Sequence, residues 1–394
     1  MSVSCYGRLS ASEPDSFAGR TVDTRFPLIY SECCGGDYGR LLRETIVSGV
    51  FQHTVLTAES QALFEAKLRP YAGLPLGVFF HKAPFLLAEF YFHHLLLELR
   101  EYGCNRFDFF AAKKELAYCR RIESFRRILH ELFLLKRTYG SLSAASGSGS
   151  HAAFDAWHLF FTECNAVLLC DESAAALDYL VRRNDRTARI DIVCADSGPE
   201  LFADIYLACT LLCFGLAERV VFHVKPYPFL ERNATVADFY RLAAELTADG
   251  NNKTLADFIA RKKISVRTAD FWILPCTFDE MPFGLCSYFS ESALVVIKGD
   301  TNYRRLVQDI RWPHTDSFAL RSVLHTLPVA ASRLVRSEVV TGLSPAVAVS
   351  VPDFICGSES YEPSGKNCGV IQCSIPAAIP AAGAGRNQIS FRIR

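Results

Sequence analysis

From about Tyr38 to Tyr139 apolar residues recur at helical spacing, and few runs in this stretch read as strands. Within it, Pro84 to Leu97 (PFLLAEFYFHHLLL) is apolar on most faces and predicts a helix buried inside a bundle. His93 and His94 lie on that helix. Adjacent helical residues point about 100° apart, so the two are expected to be core or interface histidines, not ligands of one metal. Ser141 to His151 (SLSAASGSGSH) is small, polar and glycine-rich, which predicts a flexible loop or linker. Beyond it the pattern changes. The β-branched run Ile190 to Cys194 ends in Asp196-Ser197-Gly198, and Pro199 opens a helix that Gly215 stops. Val220 to Val224 is a second strand, Thr235 begins another helix, and Phe271 to Leu274 and Ala293 to Ile297 are further strand candidates. This order predicts an α/β fold, a mainly parallel sheet covered by helices. The expected organisation is a helical N-terminal subdomain over 1–140, a linker or loop over 141–153, an α/β domain over 154–375 and a disordered Ala/Pro/Gly-rich tail over 376–394.

Composition narrows the function classes. The 394 residues are 50% hydrophobic, enough for one large core or two smaller ones. Lys plus Arg number 42 and Asp plus Glu 42, for a formal net charge of zero. That balance offers no general attraction to nucleic acid or to an anionic membrane, so a bound phosphate needs a local site. The 15 cysteines contain no C-x-x-C pair, and no apolar signal-like region follows Met1. The run Ile205 to Ala217 is the longest strongly apolar one and is too short to span a bilayer. A cytoplasmic protein with reduced thiols is expected.

In parallel sheets ligands bind at the carboxyl ends of strands, which selects three polar groups. Asp196, after the first strand, could bind a cation or cap the following helix. After the second strand, Thr235 and Asp238 have capping-box spacing, while Asn233 has no local structural reason. After Ile297 comes Lys298-Gly299-Asp300-Thr301-Asn302-Tyr303-Arg304-Arg305. Gly299 allows a sharp turn or a close approach, Asp300 could bind a metal or take a proton, Asn302 could orient an oxyanion, and Arg304 offers a forked phosphate donor. An ordinary Gly-Asp turn before a charged helix start explains the same residues.

The segment Asp196 to Asp204 (DSGPELFAD) resembles the D-N-x-G-x-E-L-x-x-D element of the metal-dependent damage-control phosphatases. The nearest branch is called acidic-residue methyltransferase or sugar-phosphate phosphatase. Lys225 to Phe239, Phe271 to Pro275, Gly299 to Arg304, Asp309 to Trp312, Gly342-Leu343 and Gly365-Lys366 continue the resemblance in order. It implies a Rossmann-like sheet with a helical N-terminal part, and hydrolysis of small phosphate esters such as sugar phosphates with Mn, Co or Ni. A small phosphorylated metabolite is then the expected partner. Carried over position by position, the resemblance makes Asp300 catalytic, Asn302, Tyr303, Arg304 and Arg336 phosphate-binding, and Asp196 and Asn233 metal-binding. The departures are as telling. Ala195 stands where the family's Asp-Asn pair begins, Asn233 replaces an Asp ligand, the Asp of a nearby G-N-x-x-D element falls at Leu168, and Arg336 replaces the lysine of an R-T-x-K signature. Each lost carboxylate weakens the hold on a hard cation. Two readings stand: a metal-dependent phosphomonoester hydrolase, or a pseudoenzyme that keeps the cradle for binding. Carboxyl O-methyl transfer ranks lower because no G-x-G-x-G loop follows a strand, and a nucleotide-dependent oxidoreductase lacks its G-x-G-x-x-G fingerprint.

Overall fold

In the computed structural model, residues 6–45, 56–139, 147–185, 187–351 and 367–376 are described. Seven strands form one sheet: β1 (Val167–Asp171), β2 (Arg189–Val193), β3 (Arg219–Val224), β4 (Ile264–Thr268), β5 (Leu294–Lys298), β6 (Val329–Leu334) and β7 (Cys368–Ser374). Their order is β1-β7-β6-β5-β2-β3-β4. Every neighbouring pair is parallel except β6 and β7. The chain runs outward one way through β2, β3 and β4 and the other way through β5 and β6. The direction therefore switches between β2 and β5, which pair with Val193 opposite Ile297. In such a sheet the crevice beyond the carboxyl ends opens at this switch.

Successive strand residues face opposite sides, and β5 displays this with both faces buried. Val295 and Ile297 pack with Phe26, Phe90 and Phe92 of the helical layer. Leu294 and Val296 pack on the other side with Trp157, Phe202 and Phe222. The helices before residue 110 thus share an apolar core with the sheet. Helix Phe85–Leu99 runs through it, and its His94 donates from Nε2 to the carbonyl of Ile273 at 2.8 Å. Ahead of Tyr38, where the sequence pattern shows no clear periodicity, Phe17–Arg20, a π-helical turn Thr21–Arg25 and Phe26–Cys34 form one bent helical stretch. Phe26 stacks on Phe92 at 4.0 Å between centroids and anchors it.

Three expectations change. Phe271 to Leu274 is not a strand: Asp270–Ile273 is a 3₁₀ turn whose carbonyls accept from separate buried donors, Phe271 O from Arg305, Trp272 O from Lys225 Nζ at 2.7 Å and Ile273 O from His94. Arg305 donates from Nε to the carbonyl of Cys276 at 2.6 Å and from Nη2 to that of Phe271 at 2.8 Å. Residues 147–153 of the expected linker belong to helix Gly147–Glu163, because Ala153, Trp157 and Phe160 bury its apolar side. Residues 141–146 and 377–394, with Gly365-Lys366, lie outside the described residues. Finally, β1, β4, β6 and β7 have no counterpart among the strands expected from the apolar runs. Among the described residues, no helix is long and apolar enough to cross a membrane.

Arg305 gives a direct test of how this loop is held. Burial lowers its guanidinium to about 10, and removing it leaves the Cys276 carbonyl without a donor and the Phe271 carbonyl with only the 3.4 Å Leu274 N–H. Arg305→Ala is expected to destabilise the fold by about 2–4 kcal/mol, measured as a lower urea midpoint.

Candidate active site

The end of β2 is tied to its neighbours before it reaches the site. The Ala234 N–H donates to Ala195 O at 2.8 Å, and the Lys225 N–H to Ala234 O at 2.9 Å. These bonds bring Asn233 beside Asp196, where Asn233 Nδ2 donates to Asp196 Oδ1 at 2.9 Å. The Arg232 guanidinium lies 3.6 Å from the other carboxylate oxygen. Thr235 and Asp238 form the expected capping box, which starts helix Val236–Thr247. At the end of β5, Gly299 has φ +81°, and a Cβ there would sit 2.2 Å from that of Ala195. Only glycine lets the two strand ends approach this closely. Asp300 and Asn302 then emerge on helix Asp300–Leu306.

Asp196, Asn233, Asp300, Asn302 and Arg336 all line one cavity of about 470 Å³ at the switch point. Asp300 is held on every side. Arg333 and the backbone N–H of Arg336 (3.1 Å) donate to Oδ1, Arg304 Nε donates to Oδ2 at 3.1 Å, and Ser337 Oγ lies 3.2 Å from Oδ2. Burial by itself would raise its carboxyl; the Arg333 and Arg304 charges outweigh that, and it stays below the usual carboxylate range. Asn302 Nδ2 donates to Cys194 O at 3.1 Å and Lys298 O at 2.9 Å, bridging the ends of β2 and β5.

Two expected phosphate ligands do not reach the cavity. Arg304 is fully buried and pairs with Glu89, Asp300 and Asp309, so its donors are spent on carboxylates inside the protein. Tyr303 is buried behind it, donating to Gln372 Oε1 at 2.8 Å, with the Arg333 guanidinium 3.8 Å from its ring centroid. Both are supports of the turn.

Other lining residues carried no expectation. Arg20, Thr21, Thr24 and Arg25 arrive on the π-helical turn and its edge. π-turns favour functional places, but nothing in the local pattern signals one here. Lys113 comes from the helical layer, and it donates to Glu231 at 2.6 Å and to Glu32 at 3.0 Å. Glu200 sits in the D-S-G-P-E run itself. Burial raises its carboxyl, Lys298 pulls it back, and the charges of Asp204 and Asp196 raise it again, leaving it above the usual carboxylate range. His93, expected in the core, is buried but also borders the cavity.

A hard divalent ion wants several oxygen ligands with compensating charge. Here one carboxylate, Asp196, already accepts from an amide and faces a guanidinium, and the methyl group of Ala195 stands beside it. Among the described residues no three His, Cys, Asp or Glu side chains are grouped to hold a metal. As arranged, these side chains do not fit a tightly held divalent cation.

The switch-point cavity and its Asp-x-Asn helix start define an α/β protein with an anion-lined, cation-rimmed ligand site. The chain belongs to the family of the damage-control phosphatase ARMT1-like domain, whose profile matches residues 44–349. It is 31% identical over 194 residues to the damage-control phosphatase ARMT1 of Danio rerio, covering 45% of this chain and 43% of that protein. To its Bos taurus namesake it is 33% identical over 175 residues, 42% and 40% of the two chains. The matches thus span less than half the length of these relatives. A DUF89 family protein from Pyrococcus horikoshii superposes with a TM-score of 0.42 at 14% identity, covering 89% of this chain and 96% of that one.

The rim pairs set a pH dependence. Burial raises Glu231, but Arg25 and Lys113 hold it at about 2 against an ordinary 4.5. A depressed carboxyl contributes stability above its unfolded value and loses it as pH falls. The melting temperature should drop as pH falls from about 5 toward about 2. Glu231→Gln should be less stable at the upper pH and lose less on acidification; parallel losses in both proteins would remove Glu231 as the cause.

Proposed function

We propose that the protein binds small phosphate esters in the switch-point cavity and hydrolyses them slowly. The observation that carries this reading is the convergence of Asp300, Asn302, Arg336, Asp196 and Asn233 on one cavity from four separate chain segments. The family's name supports phosphatase chemistry, and the rim supports an anionic ligand, with Arg20, Arg25, Lys113, Arg232 and Arg336 all lining it. Arg336 is the phosphate contact: its side chain lines the cavity while its backbone N–H fixes Asp300.

Slow turnover follows from the same geometry. Each Asp300 oxygen already accepts hydrogen bonds, and its lowered pKa makes it a weak general base at neutral pH. Glu200, on the cavity wall with its carboxyl raised by burial, is the group placed to give a proton to a departing alkoxide. The Mn, Co or Ni ion implied by the resemblance would be bound weakly by Asp196 and Asn233. A binding protein without turnover is the second reading, and the crowded state of Asp196 favours it.

Manganese titration and inorganic-phosphate release from a panel of sugar phosphates separate the two readings. Ala195→Asp with Asn233→Asp should raise manganese affinity at least about tenfold, since each added carboxylate supplies a hard charged oxygen. If slow hydrolysis is the native activity, the same double variant should raise turnover, and adding Asp300→Asn should abolish the gain. Tight manganese binding by the wild type, unchanged in the double variant, would mean other residues hold the ion.

A further inference from the structure

Asp196 and Arg232 both line the cavity, and their side chains are 21% and 25% exposed, so a ligand in it can reach both. The backbone holds them face to face. The Ser197 N–H donates to Arg232 O at 2.7 Å, the Ala234 N–H donates to Ala195 O at 2.8 Å, and Asp196 pairs with Asn233 in an isolated antiparallel bridge. The turn just before is strained. Leu230 and Glu231 have φ of 50° and 55°, left-handed values that residues other than glycine rarely adopt. Such strain persists where surrounding contacts over-determine it. Here Arg25 and Lys113 hold Glu231, and Arg232, one residue on, brings its Nε to 3.6 Å from Asp196 Oδ2.

These contacts answer the charge of Asp196 from within the chain. One carboxylate and one guanidinium sum to zero. A divalent ion added beside them would bring two more positive charges next to a guanidinium that repels it, and like charges about 4 Å apart repel strongly even near a protein surface. Asn233 acts in the same sense. It turns Nδ2, a donor, toward Asp196 Oδ1, so a lone pair that an ion would need is already engaged. For an anion the balance is reversed. A guanidinium brings five N–H donors in a planar fork that matches phosphate oxygens.

We infer that Arg232 stands in the cation's place: its guanidinium, held at Asp196, is the positive charge that meets an anionic ligand at this end of the cavity, and binding there needs no divalent ion. The anion half of this inference rests on the phosphate-ester reading above; the half concerning the ion does not. Isothermal titration of the protein with manganese chloride alone, and with inorganic phosphate alone before and after treatment with EDTA, tests both. Wild-type affinity for phosphate is expected to be the same within about twofold after chelation. Arg232→Gln should weaken phosphate binding about tenfold and strengthen manganese binding about tenfold, since one positive charge has left the site. A merely structural role would not move the two ligands in opposite directions. Arg232→Lys, which keeps the charge, should lie nearer wild type for both. Loss of phosphate binding on chelation overturns the inference, and so does an Arg232→Gln protein whose manganese affinity is unchanged or falls together with that for phosphate. Wild type that binds no phosphate under either condition overturns the phosphate-ester reading and the anion half with it; the manganese response of Arg232→Gln then still decides whether Arg232 holds the cation's place.

Discussion

The buried guanidinium of Arg304 is the interaction on which the working end of the molecule depends. It meets Glu89 from the helical layer, Asp300 from the turn after β5, and Asp309 from the loop beyond the helix, while Phe85 lies 5.1 Å from it. Burial opposes its charge, and the three carboxylates more than restore it. A charge buried this completely is tolerable only when paired and hydrogen-bonded. Each partner is thereby confined as well. The helical layer, the switch-point turn and the following loop are registered to one another by a single side chain. Arg333 repeats the device from β6, bonding Asp300 and the carbonyl of Val339 while its guanidinium covers the Tyr303 ring.

That constraint shapes the chemistry. Between two guanidiniums Asp300 is a lasting anion, well placed and poorly basic. The strand ends it stands on are drawn together by Gly299 against Ala195 and by Asn302 spanning two carbonyls. Beyond the neighbouring strand β2, Asp196 accepts from an amide and faces a guanidinium, where the resemblance implies ligands for a cation. The positive charge at the cavity thus comes from its own Arg and Lys side chains.

Local pattern carries information only where local forces decide the outcome. The Ile/Val runs of β2, β3 and β5 are strands because both faces are buried, so their composition speaks plainly. β6 (VAASRL) is as deeply buried, yet small and charged residues fill it. Arg333 can lie there because Asp300 meets it, and no short window of sequence contains that fact. β7, with Gly369 pressed against Phe161, owes its place to β1 and β6. The aromatic run at Phe271 reads as a strand until Arg305 and Lys225 claim the carbonyls of Phe271 and Trp272.

The sequence by itself determined that an α/β sheet follows a helical layer, and that Asp196, Asn233, Asp300 and Asn302 stand where strands end, while Arg336 entered through the resemblance alone. Position after a strand is a property of the chain, and the resemblance added the order of the motifs. The tertiary structure alone decided what those residues face. Arg304 turns back onto Asp300, four residues before it, and inward to Glu89 and Asp309, although its sequence context suits a phosphate ligand equally well. His93 lies on a helix apolar on most faces, and only the packing of the Phe17 to Cys34 stretch against it makes a cavity there. The physical reason is the same in each case: a polar side chain's role is set by which charges and donors lie within a few ångströms, and in this fold those come from residues distant along the chain.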